Sequence, residues 1–313
     1  MRPRRPLADA LGTPPAPGFR VLDGGLSREL AARGHDLSGA LWTARLLRDD
    51  PAAITAAHTA CVRAGAQVVI TASYQASHEG FGRAGADRRE AGALFARAVE
   101  LARAAADAAP QEVWVAASVG PYGAVRADGG EYRGRYGLSV RALERFHRPR
   151  IEALAAAGPD VLALETVPDR DEAEALLRAA EGCGIPLWLS YTVSGGRTRA
   201  GQPLADAYAP LAGRDQVIAA GANCCAPEDA GAAVAAAVGA TGLPAVVYPN
   251  SGERWDATAR EYTGPVRYGP ARAPGWAREW AAAGARLIGG CCRVGSDTVA
   301  ALARAGSGAG RQP

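Results

Sequence analysis

Two pairs of neighbouring cysteines are the residues of this sequence with the most distinctive potential chemistry. Cys291 and Cys292 follow an apolar run and two glycines, so they lie where a short buried strand ends. Cys224 and Cys225 follow a second apolar run and a few small residues. Thiolates at two strand ends are soft ligands that favour zinc among the abundant metals, and three of them leave a fourth position open for catalysis.

The spacing of these cysteines also permits other interpretations. The chain lacks the compact Cys-x-x-Cys pairing that marks a structural zinc site. Neighbouring cysteines can instead form a vicinal disulfide, or lie buried as small hydrophobic side chains. The residues around the cysteines must therefore decide between a metal site and a packing role.

Composition excludes several classes of protein. The chain has 313 residues, 48% hydrophobic and 21% charged, which is typical of a soluble globular protein with a large core. The sequence contains no lysine, which excludes a P-loop, Schiff-base or kinase-type lysine. Its net charge of +3 comes from scattered arginines, so we expect no nucleic-acid surface. Six cysteines, without a secretory signal or membrane-spanning run, predict a cytoplasmic protein with no membrane contact.

Short apolar runs alternate about eight times with helical stretches rich in alanine and arginine. This alternation predicts an α/β fold, a single (β/α)8 TIM barrel with its site at the C-terminal ends of the strands. An open doubly wound sheet is the alternative, but the first strand lacks the expected Gly-x-Gly-x-x-Gly turn. The predicted strands are 20–22, 67–71, 112–118, 160–164, 186–192, 216–220, 245–248 and 286–288, and the main helices are 51–64, 88–108, 140–157, 170–181, 228–238 and 275–283.

The chain is expected to divide into an N-terminal arm, a barrel domain and a disordered tail. The predicted boundaries are 1–18, 19–304 and 305–313, the last because of its glycine-rich composition. Two long loops, 122–136 and 250–274, are rich in glycine and aromatic residues. They either close over the site as lids or cover the rim of the barrel as fixed loops.

Every predicted strand ends in polar or reactive residues. Packing alone does not require a polar group at each strand end of one barrel. The pattern therefore favours a thiolate site over buried structural cysteines. The residues concerned are Asp23, Thr71, Ser118, Glu165, Thr192, Asn223, Asn250, Cys291 and Cys292.

Motifs spread from Val21 to Arg293 resemble the homocysteine S-methyltransferase family. They cover nearly the whole chain, and as a set they look most like the branch that uses S-methylmethionine. The chain lacks the cobalamin and folate modules of the large methionine synthase. The motifs are DGG at 23–25, LWTA at 41–44, TASYQAS at 71–77, SVGPYGA at 118–124, DGGEYRG at 128–134, ETVP at 165–168, GANC at 221–224, YPNSGE at 248–253 and GGCC at 289–292.

The resemblance implies a zinc-dependent enzyme that forms methionine. A methyl group would pass from S-methylmethionine, or from S-adenosylmethionine, to L-homocysteine. The zinc ligands of the family fall on Cys224, Cys291 and Cys292, with one zinc ion per chain, and the homocysteine sulfur would take the open position. Cys225 is not a ligand position in the family. No catalytic residue beyond the zinc site is expected, since a sulfonium leaves as a neutral thioether and needs no acid.

The amino-acid head of homocysteine also needs partners. Carboxylates at Asp23 and Glu165 suit its ammonium group, and the family uses both positions in this way. The N–H groups of Gly24 and Gly25 and the hydroxyl of Thr71 suit its carboxylate. The alternative interpretation of Asp23 is that it caps the helix that follows and does not bind the substrate.

The methyl donor is cationic, and aromatic faces attract cations. Trp42 matches an aromatic donor position of the family. Ser73, Gln75, Asn250 and Ser251 offer polar groups to an amino-acid head. The betaine-using enzyme has a tyrosine where this chain has Gln75, so the resemblance disfavours betaine.

Two other functions remain open at this point. One is methyl transfer to another thiol or selenol, such as selenocysteine. The other is a non-catalytic zinc or redox sensor, against which Asp23, Thr71 and Glu165 argue, because a sensor needs no amino-acid pocket. The expected partners are small molecules only, and the sequence leaves the oligomeric state open.

Overall fold

The computed structural model describes residues 5–12, 18–39, 41–126, 128–256 and 261–306. Its central feature is a sheet of eight parallel strands. These strands are β1 (Arg20–Val21), β2 (Val68–Ile70), β3 (Trp114–Val119), β4 (Val161–Val167), β5 (Leu187–Tyr191), β6 (Val217–Asn223), β7 (Ala245–Tyr248) and β8 (Ala285–Ile288).

The sheet closes into a barrel. Neighbours follow the order β1-β8-β7-β6-β5-β4-β3-β2, and all of these pairs are parallel. The remaining seam lies between β1 and β2, where Asp23 N donates to Val68 O at 3.0 Å and Gln67 N donates to Val21 O at 2.7 Å. The predicted (β/α)8 barrel is therefore confirmed, as are all eight predicted strands within a few residues at each end.

Helices cover the outside of the barrel, and the six predicted ones are confirmed. The long helices are Pro51–Arg63, Arg88–Asp107, Val140–Ala156, Arg170–Ala180, Pro227–Thr241, Ala273–Ala282 and Ser296–Gly306. Shorter α-helices span Leu7–Gly12, Leu26–Ala31, Leu46–Asp49, His78–Arg83, Tyr122–Arg126 and Leu204–Tyr208, and single 3₁₀ turns span Trp42–Arg45, Gly130–Tyr132 and Ala209–Leu211. Two further antiparallel strand pairs join Val193–Ser194 with Arg197–Thr198 and Arg254–Asp256 with Glu261–Thr263. Of the helices described, none is long and apolar enough to cross a membrane.

Several of these helices begin directly after an Asp or Ser residue whose side chain caps the first turn. Asp50, Asp87 and Asp169 each accept a hydrogen bond from a backbone N–H in the first turn of the following helix. Ser77 and Ser139 do the same with their hydroxyl oxygens. Such caps satisfy N–H groups that have no partner inside the helix and contribute about 1 kcal/mol each.

The N-terminal end of the barrel is filled. Helix Leu7–Gly12 packs Leu7 and Leu11 into the cluster inside the barrel that contains Trp114 and Trp188. Trp114 Nε1 donates to Arg5 O at 2.8 Å, which fixes the start of this helix. Because side chains occupy the lower barrel, space for a ligand remains at the opposite end, where the strands terminate.

The ends of the chain fall partly outside the description. Of the segment 1–18, which was predicted to be an N-terminal arm, residues 1–4 and 13–17 lie outside the described residues. Helix Ser296–Gly306 was not predicted, and it includes Ala305 and Gly306, which were assigned to the tail. The rest of the predicted tail, 307–313, lies outside the described residues.

A buried histidine makes the stability of this barrel depend on pH. His58 is 1% exposed, and burial lowers its pKa to about 4. Between about pH 6.5 and pH 4, His58 is therefore protonated in the unfolded chain and neutral in the folded chain. As a result, the free energy of unfolding should fall by about 2 kcal/mol when the pH is lowered from 7.5 to 5. His58→Gln should remove this part of the slope in urea unfolding at the two pH values. Equal slopes for both proteins would contradict the expectation.

Candidate active site

A cavity of about 380 Å³ opens at the C-terminal ends of the strands. It brings together residues from both ends of the sequence that had been predicted to act at one site. The predicted site residues that line the cavity are Asp23, Gly24, Gly25, Trp42, Thr71, Gln75, Glu165, Cys224, Cys291 and Cys292.

Three thiols form the floor of this cavity. The Sγ atoms of Cys224, Cys291 and Cys292 all lie within 4.8 Å of one another, and those of Cys224 and Cys292 are 3.6 Å apart. Hydrogen bonds from the thiols of Cys224 and Cys291 lower the pKa of Cys292 well below its usual value. Cys225 instead belongs to the hydrophobic core between strands and helices. The arrangement supplies three converging sulfur ligands with open space above them.

Backbone conformation aims the thiols. Cys224 has a φ of +51°, which turns the chain at the end of β6. Thr192 Oγ1 donates to the carbonyl of Cys224 at 3.2 Å, and Cys224 N donates to Tyr248 O at 3.2 Å. On the other side, Asn250 Oδ1 accepts from Cys292 N at 3.1 Å. Asn250 therefore positions a thiol rather than lining the cavity.

The paired glycines allow two backbones to touch beneath the cluster. A Cβ on Gly25 would lie 2.4 Å from the carbonyl oxygen of Cys291, and one on Gly289 would lie 2.4 Å from Leu22 Cβ. Gly25 N donates to Val294 O at 2.8 Å. The N–H of Gly25, which was expected to hold a substrate carboxylate, therefore already has a partner within the protein.

Two buried carboxyl groups face the cavity above the thiols. Asp23 and Glu165 are 3% and 6% exposed. Asp23 Oδ2 accepts from Ile70 N at 2.8 Å, and Glu165 accepts from the hydroxyl of Ser118. Burial raises the pKa of Asp23 well above its usual value and raises the pKa of Glu165 to about 7. In the described part of the chain no arginine or histidine lines this cavity, so the protein supplies no cation here to pair with these groups, and a cationic ligand would suit them.

The hydroxyl groups of Thr71 and Ser73, which follow β2, form a chain of hydrogen bonds with the backbone of Ser118 in β3. Thr71 Oγ1 accepts from Ser118 N at 3.0 Å and lies 2.7 Å from Ser73 Oγ. Ser73 Oγ donates to Ser118 O at 2.7 Å and is fully buried. Thr71 thus faces the cavity, as predicted, whereas Ser73 supports it from behind.

Three residues that were predicted to contact the donor lie behind the wall of the cavity. Among the described residues, Ser73, Asn250 and Ser251 lie outside the lining of the cavity. Ser251 Oγ donates instead to Glu253 Oε2 at 2.8 Å. Their side chains are committed to neighbouring protein groups, which spacing along the sequence does not reveal. Gln75 does line the cavity, where its Nε2 donates to Ala124 O at 3.0 Å.

Asn223 is a residue of the site that the sequence analysis did not single out as a binding residue. Its Oδ1 accepts from Thr166 N and its Nδ2 donates to Thr166 Oγ1, both at 2.7 Å. Thr166 has a φ of +59°, a strained conformation for a β-branched residue. The amide of Asn223 therefore holds the turn that follows Glu165.

The described part of loop 122–136, which leaves out residue 127, forms the roof of the cavity. Tyr132 Oη lies 3.0 Å from Cys224 Sγ, and Glu131 lines the cavity beside it. Neither residue was predicted to act, although both lie in the DGGEYRG motif that contributed to the family resemblance. That motif was the signal available in the sequence.

The buried side chain of Glu172 forms hydrogen bonds with residues at both ends of this roof loop. It accepts hydrogen bonds from Tyr122 N at 2.5 Å and Tyr136 Oη at 3.1 Å, and its Oε1 lies 3.0 Å from His147 Nε2. Asp169 Oδ2 also accepts from Arg135 N at 2.8 Å. The structure therefore shows the loop fastened over the cavity. The second predicted loop, 250–274, is described except for residues 257–260, and its described part does not line the cavity.

Two aromatic rings also line the cavity. Trp42 and Tyr74 both line it, with ring centroids 6.1 Å apart in an edge-on arrangement. Trp42 has a φ of +47°. Together with Thr166 and Cys224 it makes three lining residues other than glycine with positive φ, and such strain concentrates at ligand sites.

Comparisons with known proteins agree with this geometry. The family model described as homocysteine S-methyltransferase matches residues 20–306. The chain is 46% identical over 290 residues to a homocysteine S-methyltransferase of Escherichia coli K12, covering 90% of this chain and 93% of the relative. It is 42% identical to homocysteine S-methyltransferase 4 of Zea mays over 307 residues, covering 93% and 90%. The metallated form of the Escherichia coli homocysteine methyltransferase MmuM superposes with a TM-score of 0.84 at 43% identity, covering 96% of this chain and 99% of that one.

Proposed function

Since this chain belongs to the homocysteine S-methyltransferase family, an enzyme family that methylates homocysteine, we propose that it transfers the methyl group of S-methylmethionine to L-homocysteine with the help of one zinc ion. Both products of this reaction are methionine. The observation that carries the proposal is the cavity itself. Three thiols and two buried carboxyl groups face one space that, within the described residues, no cationic side chain enters.

The thiol cluster fits zinc by its chemistry. Cys224, Cys291 and Cys292 offer three sulfur ligands whose Sγ atoms lie within 4.8 Å of one another, and three protein ligands are typical of a catalytic zinc site. Bound there, zinc would supply a Lewis acid that favours the thiolate form of the homocysteine sulfur at neutral pH. Asn250 and Thr192 keep the cluster aimed at the cavity through their bonds to the backbone of Cys292 and Cys224.

The carboxyl groups bind the amino-acid head of homocysteine. Asp23 and Glu165 are the buried acidic pair, and an ammonium group is the cation that homocysteine brings. Thr71 and Gly24 line the cavity next to Asp23, where they contact the carboxylate of the homocysteine head. Holding the head fixes the sulfur over the thiol cluster, and positioning of this kind supplies a large part of the rate.

The methyl donor lies against Trp42 and Tyr74. Aromatic faces attract a sulfonium by roughly 0.5–2 kcal/mol. As the thiolate of homocysteine attacks the methyl carbon, the carbon–sulfur bond of the sulfonium breaks and its electron pair stays on the departing sulfur. The leaving group is a neutral thioether, so no proton has to be delivered to it, which agrees with the absence of histidine from the described lining.

The steady-state test compares three donors at saturating homocysteine. We expect kcat/KM to be highest for S-methylmethionine, lower for S-adenosylmethionine and lowest for betaine, since the amide of Gln75, which lines the cavity, suits an amino-acid head. Purified enzyme with a measured zinc content should be used for all three. Betaine in first place, or S-adenosylmethionine ahead of S-methylmethionine, would contradict the proposed donor. If the enzyme forms no methionine with any of the three donors, the proposed methyl transfer to homocysteine is wrong.

A further inference from the structure

One acidic residue that lines the cavity binds neither homocysteine nor zinc in the proposed reaction. Glu131 lies in the 3₁₀ turn Gly130–Tyr132 of the roof loop and lines the cavity. Its Oε2 is buried, and no group in the described part of the chain donates a hydrogen bond to it. A buried carboxylate oxygen without a partner is costly, and a bound ligand that donates to it removes this cost.

The roof holds Glu131 in place. Asp128 Oδ1 accepts from Gly130 N at 2.9 Å, and the hydroxyl of Tyr132 lies 3.0 Å from Cys224 Sγ. Gly123 packs so closely below that a Cβ on it would lie 2.4 Å from Glu131 N. With both neighbours of Glu131 tied down, its side chain stays directed at the cavity instead of turning to solvent.

Glu131 is also separate from the acidic pair that binds homocysteine. Asp23 follows β1 and Glu165 lies in β4, and the two act on each other, whereas the groups that act on Glu131 are Cys224, Asp128 and Arg133. Arg133 is exposed and lies 3.6 Å from Asp128, with which it forms an ion pair. Homocysteine has one ammonium group, and the acidic pair accounts for it. A second ammonium group is therefore what this second acidic position suits.

We propose that Glu131 binds the α-ammonium group of the methyl donor and thereby selects sulfonium donors that carry an amino-acid head. The inference rests on the proposed function, because it presumes a sulfonium donor beside the thiol cluster. The ammonium is a better partner for Glu131 than the sulfonium centre. The positive charge of the sulfonium decreases on the way to the transition state, so a carboxylate bound to it would stabilise the ground state more than the transition state and slow the reaction. The ammonium keeps its charge throughout.

The test pairs Glu131→Gln with a donor that lacks the ammonium group. The two donors are S-methylmethionine and (3-carboxypropyl)dimethylsulfonium, which has hydrogen in place of the amine. With S-methylmethionine the variant should lose about 10- to 100-fold in kcat/KM, mainly through KM, since a charge-assisted hydrogen bond contributes that much. With the desamino donor, variant and wild type should differ little. The KM for homocysteine and the zinc content should not change.

Glu144→Gln is the matched control, because it makes the same change of carboxylate to amide on the outer helix Val140–Ala156, where Glu144 bonds to Arg148 and does not line the cavity. It should leave the ratio of the two donors as in the wild type. If Glu131→Gln loses the same factor with both donors, Glu131 supports the loop and the inference is wrong, although the proposed function stands. If wild-type enzyme cannot use S-methylmethionine, the proposed function and this inference both fail.

Discussion

Replacing Cys292 by serine is expected to abolish zinc binding and to reduce methyl transfer by at least about 1,000-fold, because both the thiolate and its position are lost together. Hydrogen bonds with the other two thiols lower the pKa of Cys292, and its Sγ lies 3.6 Å from that of Cys224. A serine hydroxyl is a hard and weakly acidic ligand, so two thiolates would remain for a metal that takes three protein ligands at a catalytic site. Metal content per chain and kcat/KM should be measured on the same preparation.

Cys225→Ser provides the control for the loss of a thiol at the neighbouring position. Cys225 is buried in the outer core, so this variant should lose some stability but keep its zinc. Full zinc content and full activity in Cys292→Ser would show that the cluster is not the metal site. A parallel loss of zinc in both variants would indicate unfolding, and circular dichroism separates that case.

Replacing Glu165 by glutamine is expected to impair homocysteine binding while making the free protein more stable. For the substrate, kcat/KM with respect to homocysteine should fall about 10- to 100-fold, since the ammonium loses a charged partner in a buried place. The wild-type value should also fall as the pH is lowered below about 7, because burial raises the pKa of Glu165 to about 7 and the protonated carboxyl no longer attracts the ammonium. This limb of the pH profile should be missing in the variant.

The stability effect has the opposite sign. The folded protein holds the proton of Glu165 with a pKa of about 7, against an ordinary value of 4.5 in the unfolded chain. The stability that this tighter proton binding contributes is fully present below about pH 4.5 and is lost as the pH rises through 7. At pH 8 the buried charge therefore costs about 3 kcal/mol, which Glu165→Gln removes. Unfolding at pH 8 without homocysteine should show the gain.

Glu174→Gln is the control for Glu165, because Glu174 lies on the outer helix Arg170–Ala180 and bonds to Arg178. It should change neither the pH profile nor the KM for homocysteine. If Glu165→Gln showed an unchanged KM and kcat for homocysteine, the carboxyl group would have a structural role only. A gain in stability without a loss of binding would lead to the same conclusion.

Much of the fold followed from the sequence because its causes are local. Fully buried parallel strands read as short apolar runs, as in β3 and β4, and helices between them carry their own caps, as at Asp87 and Ser139. Alternation of the two patterns leaves few topologies besides a barrel. Once the barrel is given, residues at the ends of strands must share one face, which is why Cys224 and Cys291 were expected to meet.

The direction of each side chain at those ends was decided by the tertiary structure. Asn250 and Ser251 have the right chemistry and position in the sequence for a donor contact, yet they bond to neighbouring protein groups behind the wall. Thr166 and Cys224 turn through strained conformations that only contacts from distant residues maintain, such as the amide of Asn223. Glu131 reaches the cavity because Glu172, which is distant in sequence, fastens the loop that carries it. Residue types and local spacing specify what a strand end can do, but long-range hydrogen bonds and packing determine which groups face the ligand.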